Sequence, residues 1–430
     1  MPARGAPPPG QSALLNGMHD AEAIPWLLKT TPDCDKGWVT DLKYVGTQVP
    51  AAADCHANAV AGGLSVIQRL DLDGSQDTPH DPALVDRYAA AFASYVSQCA
   101  ELHVWIVGNE PNVTAGKSDP DCTSDLYAQS YVAVHQKVHA LPGHESDLVL
   151  ASSNSPYSPG CLASLRTILQ RIKARGVTPD GVAAHAYTRA PTGSALAPSF
   201  VTSAATQTDT TIDECPGTTT WNDTWHAQFR IYKDYIRVME AEGLTGKPIF
   251  LTESGNACDV KGGNACYPDA DVGYFQALYA EAAAHNADPA TKVKIRAITP
   301  YRWTRNDDGT GRDFAIGERP KLLADLAQAF AKRPSWTTPR CGAGDAGPGD
   351  GGAATDGGKV DAREGGPIGP RGDAPADGGA SSQKPVGGTL SSGCGCTLGA
   401  ERDEESAARW VGLLALVMAV TLGTRRRRRR

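Results

Sequence analysis

The chain has 430 residues, of which 41% are hydrophobic and 21% are charged, and its formal net charge at pH 7 is −7. This composition is that of a water-soluble globular protein, and the length allows one large domain or two to three small ones. The only dense basic run is Arg425–Arg430. The charge therefore offers no field that would gather phosphates, and we expect no nucleic-acid partner.

Short apolar runs alternate with longer amphipathic ones between Ala13 and Trp336, which is the pattern of repeated βα units. The candidate strands are Ala13–Met18, Trp38–Tyr44, Leu64–Arg69, His103–Val107, Leu148–Ser152, Gly181–His185, Pro248–Thr252 and Ile295–Thr299. The candidate helices are Pro82–Ala100, Ser124–Ala140, Cys161–Ala174, Thr224–Glu242 and Asp271–His285. We predict an α/β fold, a (β/α)8 TIM barrel at residues 12–340.

An open, doubly wound sheet is the alternative fold. Such a sheet normally has a glycine-rich phosphate-binding turn after its first strand. Residues Asn16, Gly17, Met18 and His19 do not form that pattern. The sequence therefore favours the barrel, whose chemistry lies at the carboxyl ends of the strands.

Two glutamates follow buried strands of the predicted barrel. Glu110 comes after Val104–Val107 and before Pro111, which prevents the strand from continuing, and Glu253 follows the seventh apolar run. Glycoside hydrolysis needs a carboxylic acid to protonate the leaving oxygen and a second carboxylate to attack the sugar or activate water. A single glutamate at a strand end is more often a surface or ion-paired residue. The pair therefore points to a glycosidase.

The run Asn109-Glu110-Pro111 on the fourth strand, together with Glu253 on the seventh, resembles the signature of clan-A glycoside hydrolases. The chain is most similar to the cellulase-type TIM barrels of family 5. The resemblance implies that Glu110 is the general acid/base, that Glu253 is the nucleophile and that Asn109 holds the sugar 2-hydroxyl. It also implies a reaction that retains the anomeric configuration.

Further positions are similar to the family pattern and are candidate substrate-binding residues: Arg69, His185, Tyr187 and Trp303, with His19 as a weaker candidate. The resemblance implies that Arg69 supports the nucleophile and that Trp303 forms the sugar platform. We expect Arg69 and Tyr187 to lower the pKa of Glu253 by charge and hydrogen bonding. A packed core tryptophan and a structural histidine are the alternatives for Trp303 and His185.

Eleven cysteines are unusual for a reduced cytosolic enzyme and predict disulfides in an oxidising compartment. Eight of them lie in loop-like segments: Cys34, Cys55, Cys122, Cys161, Cys215, Cys258, Cys266 and Cys341. A bridge between Cys258 and Cys266 would hold the loop after Glu253 over the site, although free or differently paired thiols are also open.

We predict no metal and no cofactor. No Cys-x-x-Cys pair is accompanied by a second pair or by histidines at metal-ligand spacing. The segment 306–309 lacks the spaced ligands and closing glutamate of a calcium loop.

The composition changes after Cys341. Residues 342–390 are rich in Gly, Ala, Asp and Pro and are predicted to be a disordered linker. Residues 391–430 contain Cys394, Cys396, an apolar run with a candidate transmembrane segment at 408–424, and six terminal arginines. The arginines should stay in the cytoplasm, which places the barrel outside the membrane. A permanent anchor helix is the alternative.

This tail resembles the MYXO-CTERM sorting signal of myxobacterial surface proteins. The resemblance implies processing by a sorting protease near Cys394 or Cys396, and attachment at the cell surface. Residues 1–10 contain no apolar run. We therefore expect that the start of this sequence is misassigned or truncated, and that the true start carries an export signal.

The sequence thus predicts an exported retaining glycosidase, displayed at the cell surface and acting on an extracellular polysaccharide or glycoside. The alternative is a catalytically inactive TIM barrel that binds carbohydrate. Both would keep aromatic residues in the cleft, but only the enzyme requires Glu110 and Glu253 together.

Overall fold

The fold is described by a computed structural model over residues 7–8, 10–31, 34–49, 52–73, 76–114, 120–152, 154–156, 161–188, 197–202, 229–256, 266–267, 269, 273–305 and 313–338. Within these residues eight strands form one sheet in chain order. They are β1 (Gly17–His19), β2 (Gly37–Tyr44), β3 (Leu64–Asp71), β4 (Val104–Val107), β5 (Leu148–Ser152), β6 (Gly181–Thr188), β7 (Ile249–Asn256) and β8 (Ile295–Pro300).

All neighbouring strands are parallel. The backbone N–H of Ile298 on β8 donates to the carbonyl oxygen of Leu15, just before β1, so the sheet closes on itself. The predicted (β/α)8 barrel is confirmed.

Helices connect the strands along the outside of the barrel. They are α1 (Ile24–Thr30), α2 (Ala57–Ala61), α3 (Val85–Val96), α4 (Pro111–Thr114), α5 (Pro120–His139), α6 (Cys161–Ala174), α7 (Ser199–Thr202), α8 (Tyr232–Ala241), α9 (Tyr274–Ala287) and α10 (Pro320–Ala331). Single 3-10 turns, Pro82–Leu84 and Phe229–Ile231, precede α3 and α8. The predicted helix Thr224–Glu242 is therefore described only from residue 229 onward.

Two layers of apolar side chains fill the barrel. The inner layer comes from strands alone: Trp38, Ile67, Val104, Ile106, Leu150, Ala183, Phe250 and Ala297. Their neighbours, such as Val39, Val66 and Trp105, belong to the larger core that includes the helices. This division follows from the alternation of side chains along a strand. Because the interior is filled, the polar chemistry is confined to the strand ends.

The boundaries of β1, β6 and β7 differ most from the prediction. The first strand is shorter than Ala13–Met18, because Leu14 instead forms an antiparallel bridge with Ser335 and Ala13 accepts a hydrogen bond from the backbone of Trp336. β6 and β7 continue three to four residues beyond their predicted ends, to Thr188 and Asn256. These extensions contain two of the predicted site residues, Tyr187 and Glu253.

Cys55 and Cys99 form a disulfide that spans 44 residues, and Cys34, Cys161 and Cys266 are also disulfide-bonded. Disulfide formation is thus confirmed for four of the loop cysteines. The specific Cys258–Cys266 pairing stays a prediction, because Cys258 lies outside the described residues.

The predicted linker at 342–390, the sorting segment at 391–430 with Cys394 and Cys396, the segment at 408–424 and the 306–309 loop also lie outside the described residues. In the part of the chain that the structure describes, no helix combines the length and the apolar character needed to cross a bilayer.

Candidate active site

The predicted site residues meet at one end of the barrel. They are His19 on β1, Arg69 on β3, Asn109 and Glu110 after β4, His185 and Tyr187 on β6, and Glu253 on β7. Parallel strands of a barrel all end at the same face, so residues far apart in sequence become neighbours there.

A β-bulge places Glu253 opposite His185. The register between β6 and β7 pairs Ala184 with Leu251 and then His185 with Glu253, so that Thr252 is an extra residue on β7. A bulge changes the direction of the side chains that follow it. The irregularity therefore helps to turn Glu253 toward the mouth of the barrel.

Glu110 lies in a strained turn between β4 and α4. Gly108 has a φ of +65°, and a Cβ added to it would meet Cγ2 of Thr78 at 2.5 Å. Glu110 itself has a φ of +29°, in the left-handed region that costs a residue with a side chain roughly 1–3 kcal/mol. Pro111 then begins α4. The surrounding structure thus holds Glu110 at the mouth despite backbone strain.

His185 bridges the two glutamates. Its Nδ1 lies 2.7 Å from Oε1 of Glu110 and 3.5 Å from Oε2 of Glu253. Both partners are acceptors when ionised, so Nδ1 carries the hydrogen. One oxygen of each carboxylate and a ring nitrogen of His185 all lie within 4.8 Å of one another. The two carboxylates are therefore close enough to act on one small group.

Both oxygens of Glu253 accept hydrogen bonds. Nη1 of Arg69 donates to Oε1 at 3.1 Å, and the hydroxyl of Tyr187 donates to Oε2 at 2.5 Å. Burial acts to raise the pKa of Glu253, but the positive charges of His185 and Arg69 and the Tyr187 hydrogen bond outweigh it and leave the pKa lowered. This agrees with the expectation for an ionised nucleophile. By distance alone Glu110, His185 and Glu253 could surround a cation, but protein donors already occupy both oxygens of Glu253.

The environment also fixes the protonation of the donors. Burial acts to lower the pKa of His185, but Glu253 and the hydrogen bond to Glu110 together raise it. Burial and then the charge of Glu253 raise the pKa of Tyr187 well above its usual value. Tyr187 therefore remains a hydrogen-bond donor across the whole range in which proteins are stable.

Two acidic residues beside Arg69 were not predicted. Oδ2 of Asp71 lies 3.3 Å from Nε of Arg69, and Oδ1 of Asp71 is buried without a hydrogen-bond partner. Burial, opposed by Arg69 but aided by the charge of Asp77, raises the pKa of Asp71 to about 8. Burial and the negative charge of Glu110, against the pull of Arg69, raise the pKa of Asp77 to about 6. Two acids with raised pKa values, Asp71 and Asp77, thus lie beside the arginine that donates to Glu253.

His19 lies beside the site and is held by the acid next to it. Nδ1 of His19 is 2.7 Å from Oδ1 of Asp20, whose other oxygen accepts hydrogen bonds from Arg302 Nε and Thr304. The His19 ring packs edge-on against Tyr301, with the centroids 5.0 Å apart. His19 therefore contacts the site wall through an aromatic residue after β8.

Tyr301 is an aromatic residue beside the cluster that was not predicted, and the sugar-platform role of Trp303, whose backbone N–H donates to the carbonyl oxygen of His19, stays a prediction. The Tyr301 ring contacts those of His19 and Tyr187, the latter at 6.3 Å. Trp303 instead packs on Trp26 at 5.5 Å and against Gly317. Since β8 ends at Pro300, strand alternation does not place residues 301 and 303 on the same side.

Asn109 is partly buried next to Glu110, and within the part of the chain that the structure describes its Oδ1 has no hydrogen-bond partner. A buried amide oxygen without a partner costs roughly 1–3 kcal/mol. Such a cost is typical of polar groups that are kept for a ligand rather than for the fold.

No family model and no curated protein matches the chain. Several solved structures are similar in fold. A GH5-4 broad specificity endoglucanase from an uncultured bacterium has 11% identity and a TM-score of 0.44, over 77% of this chain and 98% of that one. A family 5 lichenase from Caldicellulosiruptor sp. F32 has 11% identity and a TM-score of 0.42, over 78% and 98%. A β-glucosidase 2 from Trichoderma reesei has 14% identity and a TM-score of 0.45, over 73% and 88%. Identities this low say nothing about the reaction of this chain.

Proposed function

We propose that the barrel hydrolyses O-glycosidic bonds of a polysaccharide or glycoside and retains the anomeric configuration. The observation that carries the proposal is the pair Glu110 and Glu253, with carboxylate oxygens no more than 4.8 Å apart. Retaining glycosidases separate their two carboxyl groups by about 5–5.5 Å, whereas inverting ones leave about 6.5–9.5 Å for a water molecule.

Each residue then has a distinct role. Glu253 attacks the anomeric carbon while Glu110 transfers its proton to the glycosidic oxygen, so the C–O bond breaks and the alcohol leaves. Glu253 now carries the sugar as an ester and has lost its negative charge. Glu110, as a carboxylate, takes a proton from water, which attacks the anomeric carbon and releases Glu253.

The surrounding residues support these steps. Arg69 and Tyr187 keep Glu253 ionised before the attack, and His185 donates to Glu110. Asn109 would hold the 2-hydroxyl of the sugar. Tyr301, which lies against His19 and Tyr187, is better placed than Trp303 to contact the sugar ring, because an aromatic face packs well against C–H groups.

The test is hydrolysis of a panel of aryl glycosides and of β-glucan, mannan and xylan by the full chain. Glu253→Ala should abolish activity on every substrate, and Glu110→Ala should lower it about 10²–10⁴-fold. Glu281→Ala is the matched control, since it removes a half-buried glutamate that pairs with Arg230 on the outside of the barrel. That control should keep wild-type turnover.

Azide and product stereochemistry give a second readout. Azide should restore turnover of an activated aryl glycoside in both glutamate variants, with inversion in Glu253→Ala and retention in Glu110→Ala. NMR of the wild-type reaction should show that the sugar product first formed has the same anomeric configuration as the substrate. Polysaccharide binding without hydrolysis in all variants, including the wild type, would instead support the carbohydrate-binding barrel.

We also propose that the barrel is exported and held at the cell surface by its tail after cleavage by a sorting protease. Disulfides such as Cys55–Cys99 support an oxidising location. Replacing both Cys394 and Cys396 with Ala should leave the full-length chain unprocessed. An unchanged mature form on the cell surface would contradict this role.

A further inference from the structure

A second cluster of metal-ligand side chains lies at the opposite end of the barrel from Glu110 and Glu253. His135 and His139 are four residues apart near the end of α5, and Asp180 immediately precedes β6. The amino end of a strand is the face remote from the mouth. All three side chains are partly buried, with 15–22% of their surface exposed.

The three groups converge on a single point. Nε2 of His135 lies 3.3 Å, and Nε2 of His139 lies 2.9 Å, from the same oxygen, Oδ2 of Asp180. One atom from each residue lies within 4.8 Å of the other two. Zn–N and Zn–O bonds of about 2.0–2.1 Å at tetrahedral angles put neighbouring ligand atoms roughly 3.3 Å apart. The two separations from Oδ2 of Asp180, 3.3 Å and 2.9 Å, are close to that value.

The hydrogen bonds of His139 require a proton or a metal ion between its ring and the carboxylate. Its Nδ1 lies 2.8 Å from the carbonyl oxygen of Glu145, so Nδ1 carries a hydrogen. The Nε2 atom therefore points a lone pair at Asp180 unless a proton or a metal ion intervenes. A histidine that donates its other N–H to a backbone carbonyl is the usual arrangement of a metal ligand.

His135 faces the same oxygen of Asp180 as His139 does. Its Nε2 is buried and has no hydrogen-bond partner among the described residues, although Oδ2 of Asp180 is within ion-pair distance. The ring is thus near the carboxylate but is not aligned to donate to it. Two ligands of a shared ion are arranged in this way, whereas a simple ion pair would gain from alignment.

A neighbouring trio shows what a purely structural cluster looks like. Nδ1 of His103 and Nδ1 of His144 each lie 2.7 Å from a different oxygen of Asp147, and the indole N–H of Trp105 donates to Oδ2 at 2.6 Å. The two rings of this trio thus face different oxygens of Asp147 and do not converge on one, and the indole already donates to one of the two. The trio is therefore a matched control within the same chain.

We propose that His135, His139 and Asp180 bind a divalent transition-metal ion, zinc above all, that fastens the end of α5 to the start of β6. Two imidazoles and one carboxylate suit zinc, with water in the fourth position. Oδ2 of Asp180 also accepts a hydrogen bond from the N–H of Val149, and Nζ of Lys247 lies 3.5 Å from Oδ1, so the ion would use the second lone pair of Oδ2.

The first test uses untagged, full-length, oxidised protein freed of metal. Zinc should bind one ion per chain in competition with a chromophoric chelator, and ZnCl2 but not MgCl2 should raise the melting temperature. His135→Gln and His139→Gln should each weaken zinc binding by about 100-fold or more, since even supporting residues of zinc sites contribute 10–100-fold. His103→Gln and Glu253→Gln should keep it.

Cobalt(II) substitution in the wild-type protein tests the metal site without any variant. Visible d–d bands of a four- or five-coordinate ion, with no thiolate charge-transfer band, are expected. A melting temperature that is the same with ZnCl2 and with EDTA would overturn the proposal. So would a thiolate band, or zinc binding that survives both histidine changes but is lost in Glu253→Gln.

Discussion

The ionisation of Asp71 opposes folding. It is buried behind Arg69, and its pKa in the folded protein is about 8, against about 3.9 for an unfolded aspartate. An acid whose pKa is raised by folding binds its proton more tightly in the native state. Stability should therefore fall as the pH rises from about 4 through about 8.

We expect Asp71→Asn to remove this pH-dependent loss. The melting temperature of the variant relative to the wild type should increase between pH 5 and pH 8.5, because only the wild type must ionise a buried carboxyl. Asp41→Asn is the opposite control, since the pKa of Asp41 is lowered by His56 and Lys43 against the effect of burial. That variant should show no such gain, and a pH-independent difference for Asp71→Asn would contradict the raised pKa.

The glutamates were predictable at the residue scale, and their supporting acids were partly so. Glu110 follows an apolar run and precedes a proline, which places it without knowledge of any partner. Asp71 lies two residues after Arg69 and so shares its side of β3, which is a usable signal. The contacts of Asp77 and Tyr301 depend on loops, since Tyr301 lies beyond the end of β8 at Pro300.

The metal-ligand cluster illustrates the same limit. His135 and His139 lie four residues apart within a predicted helix, which is the spacing of two ligands on one helix face. Asp180 is 41 residues beyond His139, and only the packing of α5 beside the entrance to β6 brings it near.

At the scale of elements, the end of β7 depends on one glycine. Gly255 has a φ of +116°, and a Cβ there would lie 1.9 Å from the hydroxyl of Tyr267. This hydroxyl also donates to the carbonyl oxygen of Tyr301 and accepts from the N–H of Asn256. These hydrogen bonds hold the Tyr267 side chain in place, so it cannot easily move away from a Cβ added at residue 255.

We expect Gly255→Ala to lower glycosidase activity at least tenfold and to destabilise the protein by more than the roughly 1–3 kcal/mol of an unfavourable φ. Gly246→Ala is the matched control, because Gly246 has a similar positive φ of +88° but no atom within 4 Å of an added Cβ. Urea unfolding and turnover measure the two effects. Equal losses in both variants would mean that the contact with Tyr267 does not matter.

Strand positions could be predicted from the sequence, whereas strand ends could not. The apolar runs placed all eight strands, but β6 and β7 continue through Tyr187 and Glu253 because their polar side chains find partners across the barrel mouth. The bulge opposite His185 likewise depends on the pairing of two strands. A pattern of hydrophobicity within one segment contains no record of such partners.

For the whole molecule, the Cys55–Cys99 bridge restricts the unfolded chain. It joins the segment before α2 to the end of α3 across 44 residues. A loop of this size corresponds to about 4 kcal/mol in the chain-entropy account, and measured values are typically 2–4 kcal/mol.

The double change Cys55→Ser and Cys99→Ser should therefore lower the free energy of unfolding by about 2–4 kcal/mol, without changing the pH profile of activity. Equilibrium unfolding in urea, with the other disulfides kept oxidised, provides the measurement. Both cysteines precede the amino ends of β3 and β4, the face opposite Glu110 and Glu253, so a shifted pH profile would reveal an unexpected link to the site.

The antiparallel bridge between Leu14 and Ser335 brings the first and last residues of the barrel domain together, at the face remote from Glu110 and Glu253. A short peptide could join residues 12 and 337 directly, and the chain could be reopened in an outer loop as a circular permutant. For the same reason, a bead or a fusion partner attached near residue 12 or residue 337 would lie at the opposite face from the mouth. It would therefore not block a large polymer from reaching Glu110 and Glu253.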